Sequence, residues 1–388
     1  MLLVLYLLGE RLLLAQRARK IPLRICVTGS RGKSSVVRLV AASLREEGYK
    51  VMAKTTGTLP ILLLPDGQER EIKRRGNPSI LEGKKVLKIA AKNRVKALVA
   101  ELMSIQPEYS FAESVQIIKP NILVITNVRL DHLAQMGSTK IEIARSLAAS
   151  IPPHCTVFVL QEEFLPSFQD AAEKMKSEIV IVRQDSYGEF LNFQKKLFPY
   201  EFEENLRLAL AVSDFLGVKA ELAREAISKA QPDFGRHKIW RAKAGVPPRY
   251  LYLISAFAAN DPLSTSKILS RIEERIPLRR KRVIGLLNLR QDRGDRTLQW
   301  AEALKEEHFK LFDRWVFIGG HAYALKERMD STEKKRISII KEKSPQKILS
   351  RLTGMEKGEI VIVGMGNMAG AGRELVKYWE RIGKPYDF

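Results

Sequence analysis

Cysteine is nearly absent, with Cys26 and Cys155 the only two in 388 residues. Two thiols give neither a disulfide framework nor a metal cluster. Cys26 lies in an apolar strand pattern, where a free thiol behaves as a small hydrophobe. A reducing, cytoplasmic setting fits. Long hydrophobic runs are also missing. The leucine-rich start is uncharged only from Met1 to Gly9 before Glu10 and Arg11 interrupt it, well short of the ~20 residues of a spanning helix. No small-residue cleavage site follows, which argues against a secretory signal. Repeats and low-complexity tracts are absent too. Negative charge is the last deficit: 44 acidic residues face 66 basic ones, a net charge of +22.

That imbalance implies an anionic partner, whether nucleic acid, anionic lipid or an acidic substrate. The basic runs Lys73-Arg74-Arg75, Arg279-Arg280-Lys281-Arg282 and Lys334-Lys335-Arg336 carry no interleaved aromatics. They read better as solvated surface than as a nucleic-acid groove. Arg11, Arg17, Arg19, Lys20 and Arg24 follow the apolar start and would hold the remainder on the cytoplasmic side if that segment inserts. Residues 1–22 therefore read as either a short membrane anchor or an amphipathic surface helix. With 45% hydrophobic and 28% charged residues, the rest is a globular chain able to bury a core.

From residue 23 onward short apolar runs alternate with helix-period segments, the pattern of an α/β fold. Strands are expected at 23–28, 50–54, 97–101, 122–126, 156–160 and 179–182, with helices over 33–47, 80–93, 141–150 and 203–216. A second series has strands at 250–255, 282–288, 314–318, 337–340 and 359–363. The stretch 231–248 holds Pro232, Gly235, Gly245, Pro247 and Pro248, which places a hinge there. The expected organisation is a P-loop-type, mainly parallel domain over 23–235 and a smaller Rossmann-like α/β domain over 236–388.

The strongest local signal is Gly29-Ser30-Arg31-Gly32-Lys33-Ser34-Ser35, between an apolar strand and a helix pattern. Glycines let backbone amides approach phosphate oxygens, and the helix N-terminus adds its positive end. Lys33 would neutralise phosphate charge, and the Ser34 hydroxyl would bind Mg²⁺. Val27 stands where the general G-x-x-x-x-G-K-[ST] loop has its first glycine. The shortened loop resembles that of the Mur ligase superfamily.

That resemblance extends along the chain. Glu101 ends a strand expected in a parallel sheet, whose carboxyl edge faces the ligand crevice; the resemblance implies a Mg²⁺ ligand. Thr126-Asn127-Val-Arg-Leu-Asp131-His132 resembles the family's T-N-x-x-x-D-H segment, which implies that His132 helps hold a metal or acts as a group behind it. Mg²⁺ favours oxygen ligands, so Glu101 and Ser34 rank above His132. Asn205 corresponds to a residue that contacts the nucleotide base, or it caps its helix. Arg236 resembles the hinge arginine that reaches ATP, or is a surface arginine. A closer resemblance, from about residue 23 to 376, is to the PgsB/CapB family of poly-γ-glutamate synthase subunits. It rests on Gly29–Ser34, Lys54-Thr55-Thr56-Gly57-Thr58, Glu101-Leu-Met-Ser-Ile-Gln-Pro-Glu-Tyr, Asp131-His132 with Met136-Gly137, Phe257-Ala-Ala-Asn260-Asp261, Arg290-Gln-Asp292-Arg293-Gly-Asp295-Arg296-Thr297 and Gly364-Met-Gly366-Asn367-Met-Ala-Gly370.

Two departures from the wider superfamily stand out. There is no room for its N-terminal domain for a uridine-linked sugar, which makes a peptidoglycan precursor a poor substrate. Phe257 replaces an aspartate, so ribose binding would pass to Asp261 or Asn260. Arg290, Arg293 and Arg296 suit recognition of an acidic acceptor, or form an internal ion-pair network with Asp292 and Asp295. The resemblance implies an ATP- and Mg²⁺-dependent ligase in which Lys33, Glu101 and His132 serve the chemistry. It would join glutamate to a poly-γ-glutamate acceptor through an acyl phosphate, beside small membrane subunits at the cytoplasmic face of the cell membrane. The alternatives are another superfamily ligase, such as a folylpolyglutamate synthase-like enzyme, or a nucleic-acid-binding P-loop ATPase. Against the latter stand the shortened loop and the lack of a nucleic-acid module.

Overall fold

In the computed structural model, residues 2–386 are described except 58, 75, 77, 189, 192–200, 231–237, 246–247, 275, 279–280 and 357. The chain divides into two units, Met1–Asp233 and Phe234–Phe388.

The first unit is built on an eight-stranded sheet. Its strands are β1 (Leu23–Thr28), β2 (Val51–Thr55), β3 (Ile61–Leu63), β4 (Glu69–Glu71), β5 (Ala97–Glu101), β6 (Ile122–Ile125), β7 (Thr156–Leu160) and β8 (Glu178–Val182), in the order β4-β3-β2-β5-β1-β6-β7-β8. All neighbours are parallel except the β2–β3 and β3–β4 pairs. A parallel sheet must be covered on both faces, and alternate residues supply that cover. Ile25, Val27, Val51, Ala53, Ala97 and Val99 share one core with residues of the helices Lys33–Glu46, Glu203–Phe215 and Ala220–Lys229. Cys26, Met52, Leu98, Ala100 and Leu123 share the other with the helices Glu82–Lys92, Lys140–Ala148 and Pro166–Lys174 and the π-helical segment Ala112–Ile118. Each fully buried aliphatic side chain contributes about 1.5–3 kcal/mol before entropy is subtracted.

The leucine-rich start forms one helix, Leu2–Arg19. Among its described apolar side chains Leu14 and Ala18 are buried, whereas Leu2, Val4, Leu5, Tyr6, Leu7, Leu8, Leu12 and Leu13 are exposed. No helix among the described residues is long and apolar enough to cross a membrane.

The second unit holds β9 (Lys238–Ala244), β10 (Arg249–Ser255), β11 (Arg282–Leu289), β12 (Arg314–Gly319), β13 (Ile337–Ile339), β14 (Ile360–Gly366) and β15 (Lys384–Pro385), ordered β13-β12-β11-β14-β10-β9-β15. β9 and β15 run antiparallel at one edge, and the other neighbours are parallel. β9 places a strand inside the 231–248 stretch read as holding the hinge. Trp240 and Ala242 enter the core while Arg241 and Lys243 face out, which is ordinary edge-strand alternation. Residues 231–237, with Arg236, lie outside the described residues. The hairpin β3–β4 also went unforeseen, because three-residue strands are too short to show a period.

Candidate active site

Parallel strands β1, β5 and β6 end together at one edge of the first sheet, with Val27 paired to Glu101 and Thr28 to Ile125. The phosphate-loop sequence leaves β1 here. Gly29 has φ 123°, and a Cβ on it would lie 2.1 Å from Thr126 Oγ1. Gly32 has φ 82°, precedes the helix Lys33–Glu46, and would place a Cβ 2.1 Å from Asn205 Oδ1. Both positions need glycine twice over, for the left-handed backbone and for the close approach.

The loop is held by the segment after β6. Ser30 N donates to Asn127 O at 3.0 Å. The Asn127 side chain accepts from Arg31 N at 3.0 Å and donates to Arg31 O at 3.1 Å. Ser30 Oγ accepts from Arg129 N at 2.9 Å and donates to Arg129 O at 3.2 Å. Lys33 Nζ folds back to donate to Gly29 O at 2.7 Å. Burial pushes the Lys33 ammonium below its ordinary pKa, and the nearby Glu101 carboxylate pulls it the other way.

Glu101 is buried at the end of β5. Its Oε2 accepts from Ser34 Oγ at 2.6 Å and from Thr56 N at 2.7 Å. Thr56 belongs to a segment quoted above for resemblance alone; its amide role leaves no trace in side-chain chemistry. The Ser34 hydroxyl and Glu101 carboxylate are hard oxygen donors already side by side, a set that suits Mg²⁺. Among the described residues no group of three or more His, Cys, Asp and Glu side chains could hold a metal alone. A metal here would complete its shell with phosphate and water oxygens.

Asp131 joins the same edge through Arg31, at 3.2 Å. His132 takes a left-handed backbone (φ 51°), and its N–H donates to Asp131 Oδ1 at 2.8 Å, with Nε2 3.7 Å from that oxygen. Asp131 and Arg31 thus tie His132 to the phosphate loop. Glu163, buried just after β7, accepts from Val128 N at 3.2 Å and pairs with Arg129 (2.6 Å) and Lys140 (3.2 Å). No sequence signal marked it. Asn205 is not a helix cap: Phe202 holds that position, and Asn205 Nδ2 donates to Glu201 Oε1 at 2.6 Å while Oδ1 faces Gly32.

In the second unit, Phe257 is core. Its ring lies over Gly364, where a Cβ would meet it at 2.3 Å, and 5.8 Å from the Trp379 ring. Asp261 caps the helix Pro262–Glu273 by accepting from Ser264 N at 2.8 Å. Asn260 has φ 62°, and its buried Oδ1 has no hydrogen-bond partner. The arginine cluster is not an open cradle. Arg290 pairs with Asp292 (2.7 Å) and Arg293 with Asp295 (3.1 Å), while Arg296 Nη1 donates to Gln299 at 3.1 Å. The hydrogen bond from Arg290 holds the Asp292 carboxyl below its ordinary range. Side chains two residues apart have neutralised each other, which is the ion-pair alternative.

Comparison with known proteins fits this geometry. The Mur ligase middle domain family matches residues 27–214, and the poly-γ-glutamate synthase CapB C-terminal domain family matches 243–382. The capsule biosynthesis protein CapB of Bacillus anthracis is 32% identical over 98% of this chain and 82% of its own. The chain belongs to the CapB family. The PGA synthase CapB of Bacillus subtilis (strain 168) is 31% identical over 92% of this chain and 90% of its own. Membership makes this CapB-family chain an ATP-dependent, amide-bond-forming ligase. Its fold is that of the folylpolyglutamate synthases. The Mycobacterium tuberculosis enzyme complexed with ADP and AMPPCP superposes with TM-score 0.67 at 16% identity over 97% of this chain and 95% of that one. E. coli FolC with ADP gives 0.65 at 15% identity, over 96% and 94%.

The loop geometry generates a direct expectation. Gly32→Ala should weaken binding of a non-hydrolysable ATP analogue by about 10-fold or more, because strain of 1–3 kcal/mol falls on the loop itself. Fluorescence titration of the folded variant measures this, and wild-type affinity would contradict the assignment of the loop.

Proposed function

We propose that the chain forms γ-glutamyl amide bonds, activating the terminal carboxylate of a glutamyl chain with ATP and coupling it to the amino group of another glutamate. The observation that carries the reading is the Ser34–Glu101 hydrogen bond, which joins the phosphate loop to a buried carboxylate at one sheet edge. Gly29, Ser30, Arg31, Gly32, Lys33, Ser34 and Ser35 would bind the phosphates. Ser34 and Glu101, with His132 as a further group, would hold Mg²⁺. Bound there, the metal supplies positive charge against the oxygens of the transferring phosphoryl group.

The chain's own residues do the remainder. Lys33, now on the Gly29 carbonyl, turns its ammonium to the β- and γ-phosphates and stabilises charge on the phosphoryl group. Asn205, lying against Gly32, places the nucleotide beside the loop. A carboxylate oxygen of the substrate attacks the γ-phosphorus, the bond to the β–γ bridging oxygen breaks, and ADP leaves. The amine then attacks the acyl carbon, its proton is lost, and the C–O bond to phosphate breaks. Catalysis is mainly positioning and charge neutralisation.

We further place the chain on the cytoplasmic face of the membrane, beside small membrane subunits. The exposed leucines of Leu2–Arg19 lie next to Arg11, Arg17, Arg19 and Lys20, a pairing suited to an anionic bilayer surface. Burial lowers the Lys119 pKa, and the neighbouring Arg11, Arg19 and Arg24 lower it further, which marks one cationic patch.

Lys33→Ala and Glu101→Ala should each lower glutamate-dependent ADP release and polymer mass by about 100-fold or more. Folate in place of the glutamyl acceptor should give none. Wild-type turnover in both variants would remove the proposed site. Separately, vesicles containing phosphatidylserine should sediment the wild-type chain but not Leu5→Asp/Leu12→Asp. Equal sedimentation of both would refute the role of the first helix.

A further inference from the structure

Lys54 and Glu113 form an ion pair with no solvent exposure on either side chain, Nζ to Oε1 at 3.5 Å. Neither residue has a place in the mechanism above. Such a pair is a poor device for stability, since desolvating two charges consumes most of what their attraction returns, and apolar residues of like volume often serve as well. At 3.5 Å it is also long for a strong hydrogen bond. Its value has to come from what else it holds.

The other carboxylate oxygen of Glu113 accepts three hydrogen bonds, from Met103 N (3.0 Å), Ser104 N (3.1 Å) and Ser104 Oγ (2.6 Å). Those residues follow Glu101 directly as the chain leaves β5. Lys54 is paired in register with Ala100 of β5, and two residues later Thr56 N grips the Glu101 carboxylate. Leu102 N adds a bond to Val27 O at 2.9 Å. The pair therefore spans the two chain segments between which Glu101 sits. Strand alternation puts Lys54 on the face with Met52, Leu98 and Ala100, and Glu101 on the face with Val27 and the Lys33–Glu46 helix. Any influence on the nucleotide side must pass through backbone. Glu113 also lies in the π-helical segment Ala112–Ile118, a local departure from the α-helix that is often found at functional sites.

We infer that Lys54 and Glu113 are a positioning pair for Glu101: from beneath the sheet they set the ends of β2 and β5 so that the carboxylate meets the Ser34 hydroxyl. Glu113 supplies the geometry by collecting the amides of residues 103 and 104. Lys54 Nζ, 3.5 Å from Oε1, holds the other carboxylate oxygen from the β2 side. The inference rests on the proposed reading of Glu101 as a metal ligand, and the test separates the two.

The experiment is equilibrium binding of a fluorescent ATP analogue, with EDTA and with saturating Mg²⁺, alongside thermal melting. Glu113→Gln strands the Lys54 charge and could fail to fold, so the deciding variant is Lys54→Met/Glu113→Gln, in which no charge is buried. Ser104→Ala, which removes one bond from Glu113 and buries nothing new, is a second arm. Affinity in EDTA should match wild type because the phosphate loop is intact. The affinity gained on adding Mg²⁺ should fall by about 10-fold in the double variant, as for loss of a group behind a metal ligand, and by less in Ser104→Ala. An unchanged Mg²⁺ gain in either folded variant overturns the inference, as does an equal loss with and without metal. Glu101→Gln runs in parallel. If it keeps the full Mg²⁺ gain, the metal-ligand reading fails; if it loses the gain while the double variant keeps it, only the positioning role fails.

Discussion

The Ser34 hydroxyl and the Glu101 carboxylate meet at 2.6 Å with Thr56 N on the same oxygen, and the arrangement of the first unit follows from holding them there. Ser34 opens a helix and Glu101 closes a strand, so the contact requires β1, β5 and the Lys33–Glu46 helix to be in register at one edge. A buried carboxylate without partners would be expensive. With two donors it is held in place, which readies it for the proposed metal. Phosphate chemistry needs that readiness, because little covalent work is left to the protein.

Around that contact the construction is layered. The sheet provides rigidity through two apolar faces. Two buried glutamates then brace the loops that carry the polar groups: Glu113 holds the chain after Glu101, and Glu163 holds the segment from Val128 to Arg129 that clasps Ser30. Asn127 fastens Arg31, and Arg31 reaches Asp131 beside His132. These bonds fix the backbone of the Gly29–Ser35 loop, and a fixed backbone lowers the ordering cost of binding.

Much of this was legible in the sequence, for physical reasons. β1, β5 and β6 read as largely apolar runs because both faces of the sheet are buried, and the glycines mark backbone geometry that no other residue adopts cheaply. Glu101 could be located because strand ends in parallel sheets face the crevice. What escaped had no such signature. Thr56 acts through its amide, which every non-proline residue has. Glu113 and Glu163 read as surface glutamates until folding buries them. β9 alternates, but its outward charges and flanking prolines resemble a linker. Asn205 carried two readings, a nucleotide contact or a cap, and the structure gives the cap position to Phe202. The arginine cluster was open to a substrate role or an internal network, and the pairs Arg290–Asp292 and Arg293–Asp295 are those of the network.

The most direct test is a structure determined with an ATP analogue and Mn²⁺ in place of Mg²⁺, read by the anomalous signal of the metal. The account predicts a metal peak bonded to Ser34 Oγ and Glu101, with the phosphates cradled by Gly29–Ser35 and Lys33 turned off the Gly29 carbonyl. Nucleotide bound elsewhere, or a metal bonded to neither Ser34 nor Glu101, would contradict it.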